Sequence, residues 1–173
     1  VSLNAKMRRT SICGATETIL CHKNISKEVL PNLIDKLLSL SCEIRGDRNV
    51  RQYNKKIKLA TKKDWEKEYL DSIVSIKIVK NIDQAIDHIN TYSSKHTDAI
   101  ITDNTRNSNK FINNIDSAIV MHNTSTQFAD GAEFGLGAEV GISTGKLHAR
   151  GPVSVKELTT YKYIVKGNGQ LRK

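Results

Sequence analysis

The sequence predicts an α/β fold in which helices flank a mainly parallel sheet. Three observations lead to this class. Segments with a helical apolar period alternate with short β-branched runs between residues 26 and 123. The 173-residue chain is long enough for one domain with a substantial core. Its 38% hydrophobic and 26% charged residues are typical of a globular protein.

The first predicted elements are a helix at residues 26–40 and a strand at residues 72–80. The helix is indicated by apolar residues that recur in pairs four apart, namely Val29, Leu30, Leu33, Ile34, Leu37 and Leu38. Residues 72–80, SIVSIKIVK, are rich in β-branched side chains and partly alternate with polar ones, which predicts the strand.

The alternation of helix and strand continues along the chain. The next predicted helix has an apolar face formed by Ile82, Ala85, Ile86, Ile89 and Tyr92. After it come a predicted strand at residues 98–103, a helix at 105–114 and a strand at 117–123. Strands joined through helices run parallel, so this order predicts right-handed crossovers within a parallel sheet.

The chain is predicted to have three regions. Residues 1–122 form the α/β domain. Residues 123–153 are dense in Gly, Ser and Thr, which predicts a structured functional loop region. Residues 154–173 return to β-forming side chains, with a predicted strand at 159–165. A strand that arrives last lies at a sheet edge, so we expect a partner subunit to pair with it.

The charge and the hydropathy of the sequence bear on whether the protein binds nucleic acid or a membrane. The formal charge of +9 results from 27 Lys and Arg against 18 Asp and Glu. The densest basic patch, residues 51–67, includes Tyr53 and Trp65, as a single-strand nucleic-acid surface does. We favour a solvated surface and expect no nucleic acid, because charge runs usually serve only to keep a surface hydrated. The apolar runs are far shorter than a bilayer requires, and the first residues do not resemble a secretory signal.

Cysteine and histidine usage predicts neither disulfides nor a metal site. Cys13, Cys21 and Cys42 cannot all pair within one chain, and their spacings do not match a zinc motif. The five histidines are scattered without the spacing of metal ligands. A reducing cytoplasm is therefore the predicted compartment.

The glycines do not form a nucleotide-binding motif. Gly135, Gly137 and Gly141 fail the pattern G-x-G-x-x-G because Val140 stands where the third glycine is required. No phosphate-loop sequence occurs either. These residues therefore predict no dinucleotide-binding half within the chain.

Cys13 is the residue whose surroundings suit chemistry. In RRTSICGATETIL, two arginines precede it and the small residues Gly14 and Ala15 follow it. Positive charge favours a thiolate and small neighbours leave room for a substrate, which are the needs of a cysteine nucleophile. The alternative from residue chemistry alone is a buried, inert thiol. Cys21 and Cys42 have more apolar neighbours and are predicted to be structural.

Five segments together resemble a known family. They are NAKMRRTSICGATETIL, DWEKEYLDSIVSIKIV, AIDHINTYSSKHTDAIITD, NTSTQFADGAEFGLGAEVGISTGKLHARGP and ELTTYKYIV. In this order they resemble the C-terminal portion of the gamma-glutamyl phosphate reductases, or glutamate-5-semialdehyde dehydrogenases, of the aldehyde dehydrogenase superfamily. The resemblance covers essentially the whole chain. It implies an aldehyde-dehydrogenase-like catalytic domain at residues 1–122, an active-site loop region at 123–153 and an oligomerisation strand within 154–173.

The resemblance also implies a reaction. Cys13 falls on the catalytic cysteine of the family, whose thiolate displaces phosphate from L-glutamyl 5-phosphate to form a thioester. NADPH then reduces the thioester to glutamate 5-semialdehyde, the second step of proline synthesis from glutamate. NADP(H) is thus the implied cofactor and L-glutamyl 5-phosphate the implied substrate.

Further site residues are implied by position. Glu68 matches a carboxylate that contacts the nicotinamide ribose, and its alternative is an exposed charge at a helix end. The implied substrate-binding residues are Arg9, Asn123, Thr124, Ser125, Thr126, Phe134 and Gly135, with Asn123 the first choice. The sequence departs from the family at Thr10, Gly14 and Gln127, which stand where Pro, Asn and Arg are frequent.

The family's N-terminal dinucleotide-binding domain is expected to precede Val1 and is absent from this sequence. Because hydride transfer needs a positioned nicotinamide, we expect the chain alone to be a poor reductase. The implied partner is a second copy of the chain or a polypeptide that carries the missing domain. The alternatives are a truncated, inactive relic of the enzyme and a non-catalytic interaction module.

Overall fold

The computed structural model describes residues 1–173 and has the predicted α/β architecture. The helices are α1 (Ser2–Met7), α2 (Ser26–Ser39), α3 (Ile82–Tyr92) and α4 (Thr105–Asn114). The strands are β1 (Thr18–His22), β2 (Glu43–Gly46), β3 (Lys58–Leu59), β4 (Ile73–Val79), β5 (Thr97–Ile100), β6 (Ile119–His122), β7 (Gly141–Ile142) and β8 (Pro152–Val153). Short 3-10 helices occupy Val50–Tyr53, Lys62–Asp64 and Thr126–Phe128.

The strands form two parallel sheets and one short antiparallel pair. The larger sheet has the order β1-β4-β2-β3 and is parallel throughout. Strands β5 and β6 form a separate parallel pair, and β7 pairs antiparallel with β8. The predicted parallel pairing is therefore confirmed, but β4 and β5 do not pair. Strand β4 lies between β1 and β2, so both of its edges are already occupied.

The main core lies between α2 and the larger sheet. On α2, Leu30, Ile34 and Leu37 are fully buried, and they pack in one cluster with Val74 and Ile76 of β4. Burying an aliphatic side chain of this size contributes about 1.5–3 kcal/mol. The apolar period that predicted the helix thus corresponds to its buried face, and the helix ends within one residue of the expected position.

A smaller core joins α3 and α4 to the β5–β6 pair. Ile86 of α3 packs against Phe111 and Ile115, at the end of α4. Each helix begins with an asparagine cap: Asn81 accepts a hydrogen bond from the Gln84 amide, and α4 has the equivalent cap. These caps satisfy amides that a helix leaves unpaired in its first turn.

The last part of the chain does not form the predicted strand. Residues 159–165 have no regular structure and are exposed, including Tyr161, Tyr163, Ile164 and Val165. A strand needs a neighbour for its backbone hydrogen bonds, and nothing within the single chain offers one here. The pairing of this segment with a second subunit remains a prediction. None of the helices has both the length and the apolar character needed to cross a bilayer.

Candidate active site

Cys13 lies in the loop between α1 and β1, at the amino end of the larger sheet. The residue is exposed, whereas its neighbours Gly14 and Ala15 are buried. A turn closed by a hydrogen bond from the Ala15 amide to the Ile12 carbonyl (3.0 Å) presents the cysteine. The thiol is therefore accessible to a substrate, in contrast to Cys21 and Cys42, which are buried as predicted.

The cysteine loop packs on the first residues of the glycine-rich region. A side chain at Gly14 would begin 3.1 Å from the Thr126 carbonyl oxygen and 3.7 Å from the Ala129 Cβ. The hydroxyls of Thr16 and Thr126 are 2.9 Å apart and share a hydrogen bond. The fold thus brings together two regions that the sequence analysis assigned to one site from far-separated segments.

Gln127 holds these two regions together, and the sequence analysis missed its role. Its side chain is buried, and Nε2 donates to the carbonyl oxygens of Ala5 (3.0 Å) and Arg9 (2.9 Å). Its Oε1 is buried without a hydrogen-bond partner. The only signal in the sequence was that Gln127 stands where the family often has arginine.

Glu68 lies on an exposed segment whose flanking residues are fixed. Asp64, which precedes it, is buried and accepts a hydrogen bond from Arg45 Nη1 (2.5 Å). Tyr69, which follows it, donates its hydroxyl to Asp64 (3.0 Å). Trp65 packs edge-on against His88, with ring centroids 5.3 Å apart. The Glu68 carboxylate has no hydrogen bond or ion pair within the chain. It is thus an unpaired acceptor on an immobilised segment.

The pKa of the Cys13 thiol is raised above its usual value. Partial burial of the thiol is the largest cause, and the carboxylates of Glu139 and Glu68 raise the pKa further. The backbone amides of Gly14 and Cys13 itself lower it. Both carboxylates therefore act electrostatically on the sulfur, Glu139 more strongly than Glu68.

The expected thiolate stabilisation by arginines is wrong for this structure. The side chains of Arg8 and Arg9 are exposed, and neither is among the groups that shift the pKa of Cys13. An exposed guanidinium is screened by water, so its charge has little effect on the thiol. In this chain the charges acting on Cys13 are negative.

Glu139 and His96 belong to the same electrostatic neighbourhood and were not predicted. Glu139 Oε2 accepts a hydrogen bond from the Gly131 amide (2.8 Å), which fixes the carboxylate close to the turn after Ala129. Burial lowers the pKa of His96, while Glu139 and Glu68 act to raise it. Sequence spacing could not reveal this grouping, because its members come from four separate loops.

Asn123 has a different role from the expected one. Its backbone has φ +56°, and its side chain is engaged by Thr102: Oδ1 accepts from the Thr102 amide (2.8 Å) and Nδ2 donates to the Thr102 carbonyl (3.0 Å). Both polar atoms of the side-chain amide are thus used to stabilise the turn after β6. The structure therefore does not support Asn123 as the first choice for a substrate contact.

The other predicted substrate-binding residues separate into two groups. Ser125 and Thr126 are buried: the Thr126 hydroxyl shares a hydrogen bond with Thr16 of the cysteine loop, and the Ser125 hydroxyl caps the helix Thr126–Phe128. Thr124, Phe134 and Gly135 make no side-chain hydrogen bonds, and the last two lie on an exposed turn that no hydrogen bond links to the cysteine loop. The structure thus places only the first group against the Cys13 loop.

The buried thiols and the open clefts lie apart from this site. Burial raises the pKa of Cys42 to about 11, so this thiol is unreactive at neutral pH. Two clefts of about 330 and 260 Å³ adjoin the helix Val50–Tyr53 and contain none of the predicted site residues. No group of three His, Cys, Asp or Glu side chains is arranged to hold a metal ion.

Comparison with known proteins identifies the family. The sequence pattern of the aldehyde dehydrogenase family matches residues 60–164. Gamma-glutamyl phosphate reductase of Rhodospirillum rubrum is 55% identical over 172 residues, which are 99% of this chain and 40% of that protein. The chain therefore spans less than half the length of the relative that it matches.

Solved structures agree with the sequence comparison. A crystal structure of gamma-glutamyl phosphate reductase from Thermotoga maritima has a TM-score of 0.93 at 47% identity and covers 100% of this chain and 42% of its own. An engineered glycolyl-CoA reductase with bound NADP+ shares the fold, with a TM-score of 0.58 at 17% identity over 91% of this chain and 43% of its own. The chain belongs to the aldehyde dehydrogenase family.

Proposed function

We propose that the chain is the catalytic portion of an NADPH-dependent gamma-glutamyl phosphate reductase, which converts L-glutamyl 5-phosphate to L-glutamate 5-semialdehyde. The observation that carries the proposal is the exposed Cys13, held against the glycine-rich region within the influence of the Glu68 carboxylate. The 55% identity to a reductase of that name over nearly the whole chain supports the same substrate.

Cys13 supplies the nucleophile. Its thiolate attacks the acyl carbon of L-glutamyl 5-phosphate, the carbon–sulfur bond forms, and the bond to the phosphate oxygen breaks. The backbone amides of Gly14 and Cys13 favour the anionic sulfur, because an N–H aimed at a thiolate stabilises it. Departing phosphate carries away the negative charge. The product is a thioester on Cys13, the state that is then reduced to the aldehyde.

The residues present fit a nicotinamide cofactor at one point of contact. Glu68 is exposed and unpaired and acts electrostatically on Cys13, and its carboxylate can accept hydrogen bonds from the two hydroxyls of a ribose. When bound, NADPH supplies the hydride that reduces the thioester carbon. The chain's own contribution is to hold Glu68 on a segment that the contacts of Asp64, Trp65 and Tyr69 fix.

We propose substrate contacts for predicted residues whose side chains make no hydrogen bond or ion pair within the chain. The Arg9 guanidinium is exposed and has no hydrogen bond or ion pair within the chain, so it is available for a carboxylate of the glutamyl group. Thr124 offers a free hydroxyl, and Phe134 and Gly135 offer an apolar ring and an open backbone. Thr126 supports the cysteine loop through its hydrogen bond with Thr16, and Ser125 caps the short helix that contains Thr126.

The proposed partners are a second copy of the chain and a nicotinamide-binding domain. The exposed segment at residues 159–165, with its apolar and aromatic side chains, supports pairing with another subunit. Three free cysteines without a disulfide support a reducing compartment such as the cytoplasm.

The experiment is the reverse reaction, in which the chain reduces NADP+ with glutamate 5-semialdehyde and phosphate. We expect phosphate-dependent turnover that Cys13→Ser abolishes and that Cys21→Ser, a matched change of a buried thiol, preserves. If the chain alone gives no turnover, the nicotinamide-binding part of the Thermotoga maritima relative is added in trans. Absence of Cys13-dependent turnover in that mixture as well would contradict the proposal.

A further inference from the structure

The carboxylate of Glu17 is shared by two segments of the candidate active site. Glu17 lies directly before β1, in the chain that leaves the cysteine loop. Its Oε2 accepts from Lys6 Nζ (2.6 Å), and its Oε1 accepts from the backbone amide of Leu70 (3.2 Å). One side chain thus contacts both the helix that leads into the cysteine loop and the segment that carries Glu68.

The contact with Lys6 fixes the helix α1, which leads into the cysteine loop. The Lys6 side chain has 0% exposure, and a buried ammonium requires a partner because it has lost its hydration. Glu17 is its one carboxylate partner. A backbone hydrogen bond from Thr16 to the Ala5 carbonyl (2.9 Å) closes the loop between them. The residues on either side of Cys13 are therefore held to one another at Glu17.

The contact with Leu70 fixes the segment that carries Glu68, the residue proposed to contact the cofactor. Leu70 has φ +52°, a left-handed conformation that is strained for a leucine and persists only where the surroundings enforce it. Its amide is bound by Glu17, and the preceding residue, Tyr69, is held by Asp64 and Ser75. Glu68 precedes this strained residue by two positions, so its place depends on the Leu70 conformation.

We propose that Glu17 is a positioning residue, which sets the separation between Cys13 and Glu68 by binding Lys6 and the Leu70 amide at once. Its catalytic meaning rests on the function proposed above, but the coupling itself is a property of the folded chain. Glu17 lies outside the segments that the sequence analysis assigned to the substrate or the cofactor. It acts on the reaction only through the two loops that it joins.

The effect of Glu17 on the position of Glu68 can be measured through the pKa of Cys13, because Glu68 acts on that thiol. Cys13 is influenced by Glu139 and Glu68, and Glu17 by Lys6 and Glu68. If Glu17 no longer holds the Leu70 segment, the Glu68 carboxylate moves freely and lies farther from the sulfur on average. A weaker negative field stabilises the thiolate, so the pKa of Cys13 falls.

The test variant is Lys6→Met combined with Glu17→Leu. Replacing both partners avoids a stranded buried charge, so the fold is expected to remain stable, while the acceptor for the Leu70 amide is lost. The control is Lys110→Met with Asp83→Leu, an ion pair between α3 and α4 that touches neither loop. The readouts are hydrogen exchange at the Leu70 amide and the pH dependence of Cys13 alkylation by iodoacetamide, followed on the Cys13 peptide by mass spectrometry.

In the test variant we expect Leu70 exchange to accelerate about tenfold or more, the effect of losing one hydrogen bond to a charged group. The midpoint of Cys13 alkylation should move to lower pH. In a Glu68→Gln background the same double change should leave that midpoint unmoved, because the charge that it displaces is gone. The control should change neither readout in a folded protein.

An unchanged Leu70 exchange rate, or an alkylation midpoint that moves equally with and without the Glu68 charge, would overturn the inference. Should the double variant fail to fold, Lys6→Met combined with Glu17→Gln replaces it. That change keeps a neutral acceptor for the Leu70 amide and strands no buried ammonium, so we expect a smaller shift of the midpoint in the same direction. None of these measurements needs turnover. Failure of the positioning role is thus distinguishable from failure of the proposed reaction.

Discussion

The side-chain amide of Gln127 lies 2.9 Å from the carbonyl oxygen of Arg9, a residue 118 positions earlier in the chain. The same nitrogen also donates to the Ala5 carbonyl. The backbone before Cys13 is therefore fixed by a residue of the glycine-rich region, and the geometry of the nucleophile depends on a contact between segments that are far apart in the chain.

Gln127→Glu should destabilise the protein. The change keeps the shape of the side chain but places carboxylate oxygens against two carbonyl oxygens, so both hydrogen bonds are lost and a charge is buried. We expect a loss of about 1–3 kcal/mol in the free energy of unfolding, measured by urea titration. Gln52→Glu, on an exposed side chain, is the control. Equal unfolding midpoints for the two variants would mean that the Gln127 contacts contribute nothing.

Glu139→Gln should lower the pKa of Cys13. Removing this negative charge favours the thiolate, so the alkylation rate of Cys13 should reach its half-maximal value at a lower pH than in the parent chain. Glu133→Gln is a matched change on the exposed turn nearby, and we expect it to leave the profile in place. A profile for Glu139→Gln that overlays the parent profile would show that this carboxylate does not act on the thiol.

The helices could be predicted from the sequence because their burial is periodic. The apolar stripe at residues 26–40 corresponds to α2, and the predicted helix at 105–114 has the bounds of α4. In contrast, α1 has six residues, too few for a helical period to be recognised, and β2 (EIRG) has one apolar side chain among two charged residues and a glycine. Strand β1 was missed because it follows the cysteine loop, where small and polar residues hide the start of the apolar run.

Asp64 should make the free energy of unfolding depend on pH in the acid range. Burial acts to raise the pKa of the Asp64 carboxyl, but hydrogen bonds from Thr61, Arg45 and Tyr69 outweigh it and hold the pKa well below the usual range. A carboxyl with a lowered pKa in the folded state stabilises the fold at all pH values above its unfolded pKa of about 3.9. This contribution is lost as the pH falls below that value towards the lower folded pKa.

Asp64→Asn removes this contribution. We expect the variant to be less stable than the parent chain by about 1–3 kcal/mol at pH 7, because donors of Arg45 and Thr61 lose a charged acceptor. The difference should shrink below about pH 4, where the parent carboxyl begins to take up its proton. Urea unfolding between pH 2.5 and pH 7 (roughly the range set by these pKa values) measures both effects. Asp35→Asn, an exposed aspartate of α2, should show neither effect.

Gly46→Ala should destabilise the larger sheet. A Cβ at Gly46 would lie 2.8 Å from Val50 Cγ1 and 2.9 Å from Ile57 Cγ2, and both neighbours are buried. Overpacking of this kind costs about 1–3 kcal/mol. Gly141→Ala is the control, because nothing lies within 4 Å of the added carbon there. Thermal unfolding should separate the two variants, and a Gly46→Ala protein as stable as the control would show that this part of the core is loosely packed.

The site could be predicted only in part. Cys13 and Glu68 stand in recognisable local motifs, and Glu68 is among the carboxylates that raise the pKa of Cys13. Glu17, Gln127 and Glu139 carry no local signature, because each acts through a partner that is distant in sequence or through a backbone group. The shift of the Cys13 pKa was predicted in the wrong direction, because the sequence neighbours of a residue do not reveal which charges are exposed to water and which act on the sulfur.

The most direct test of the proposed chemistry is acylation of Cys13 without any cofactor. The chain is incubated with L-glutamyl 5-phosphate, generated in place from glutamate and ATP by a kinase, and its peptides are analysed by mass spectrometry. The account predicts a glutamyl group on the Cys13 peptide that hydroxylamine removes, as expected of a thioester, and none on the peptides with Cys21 or Cys42. A Cys13 that stays unmodified by the acyl phosphate while remaining open to iodoacetamide would contradict its role as the nucleophile.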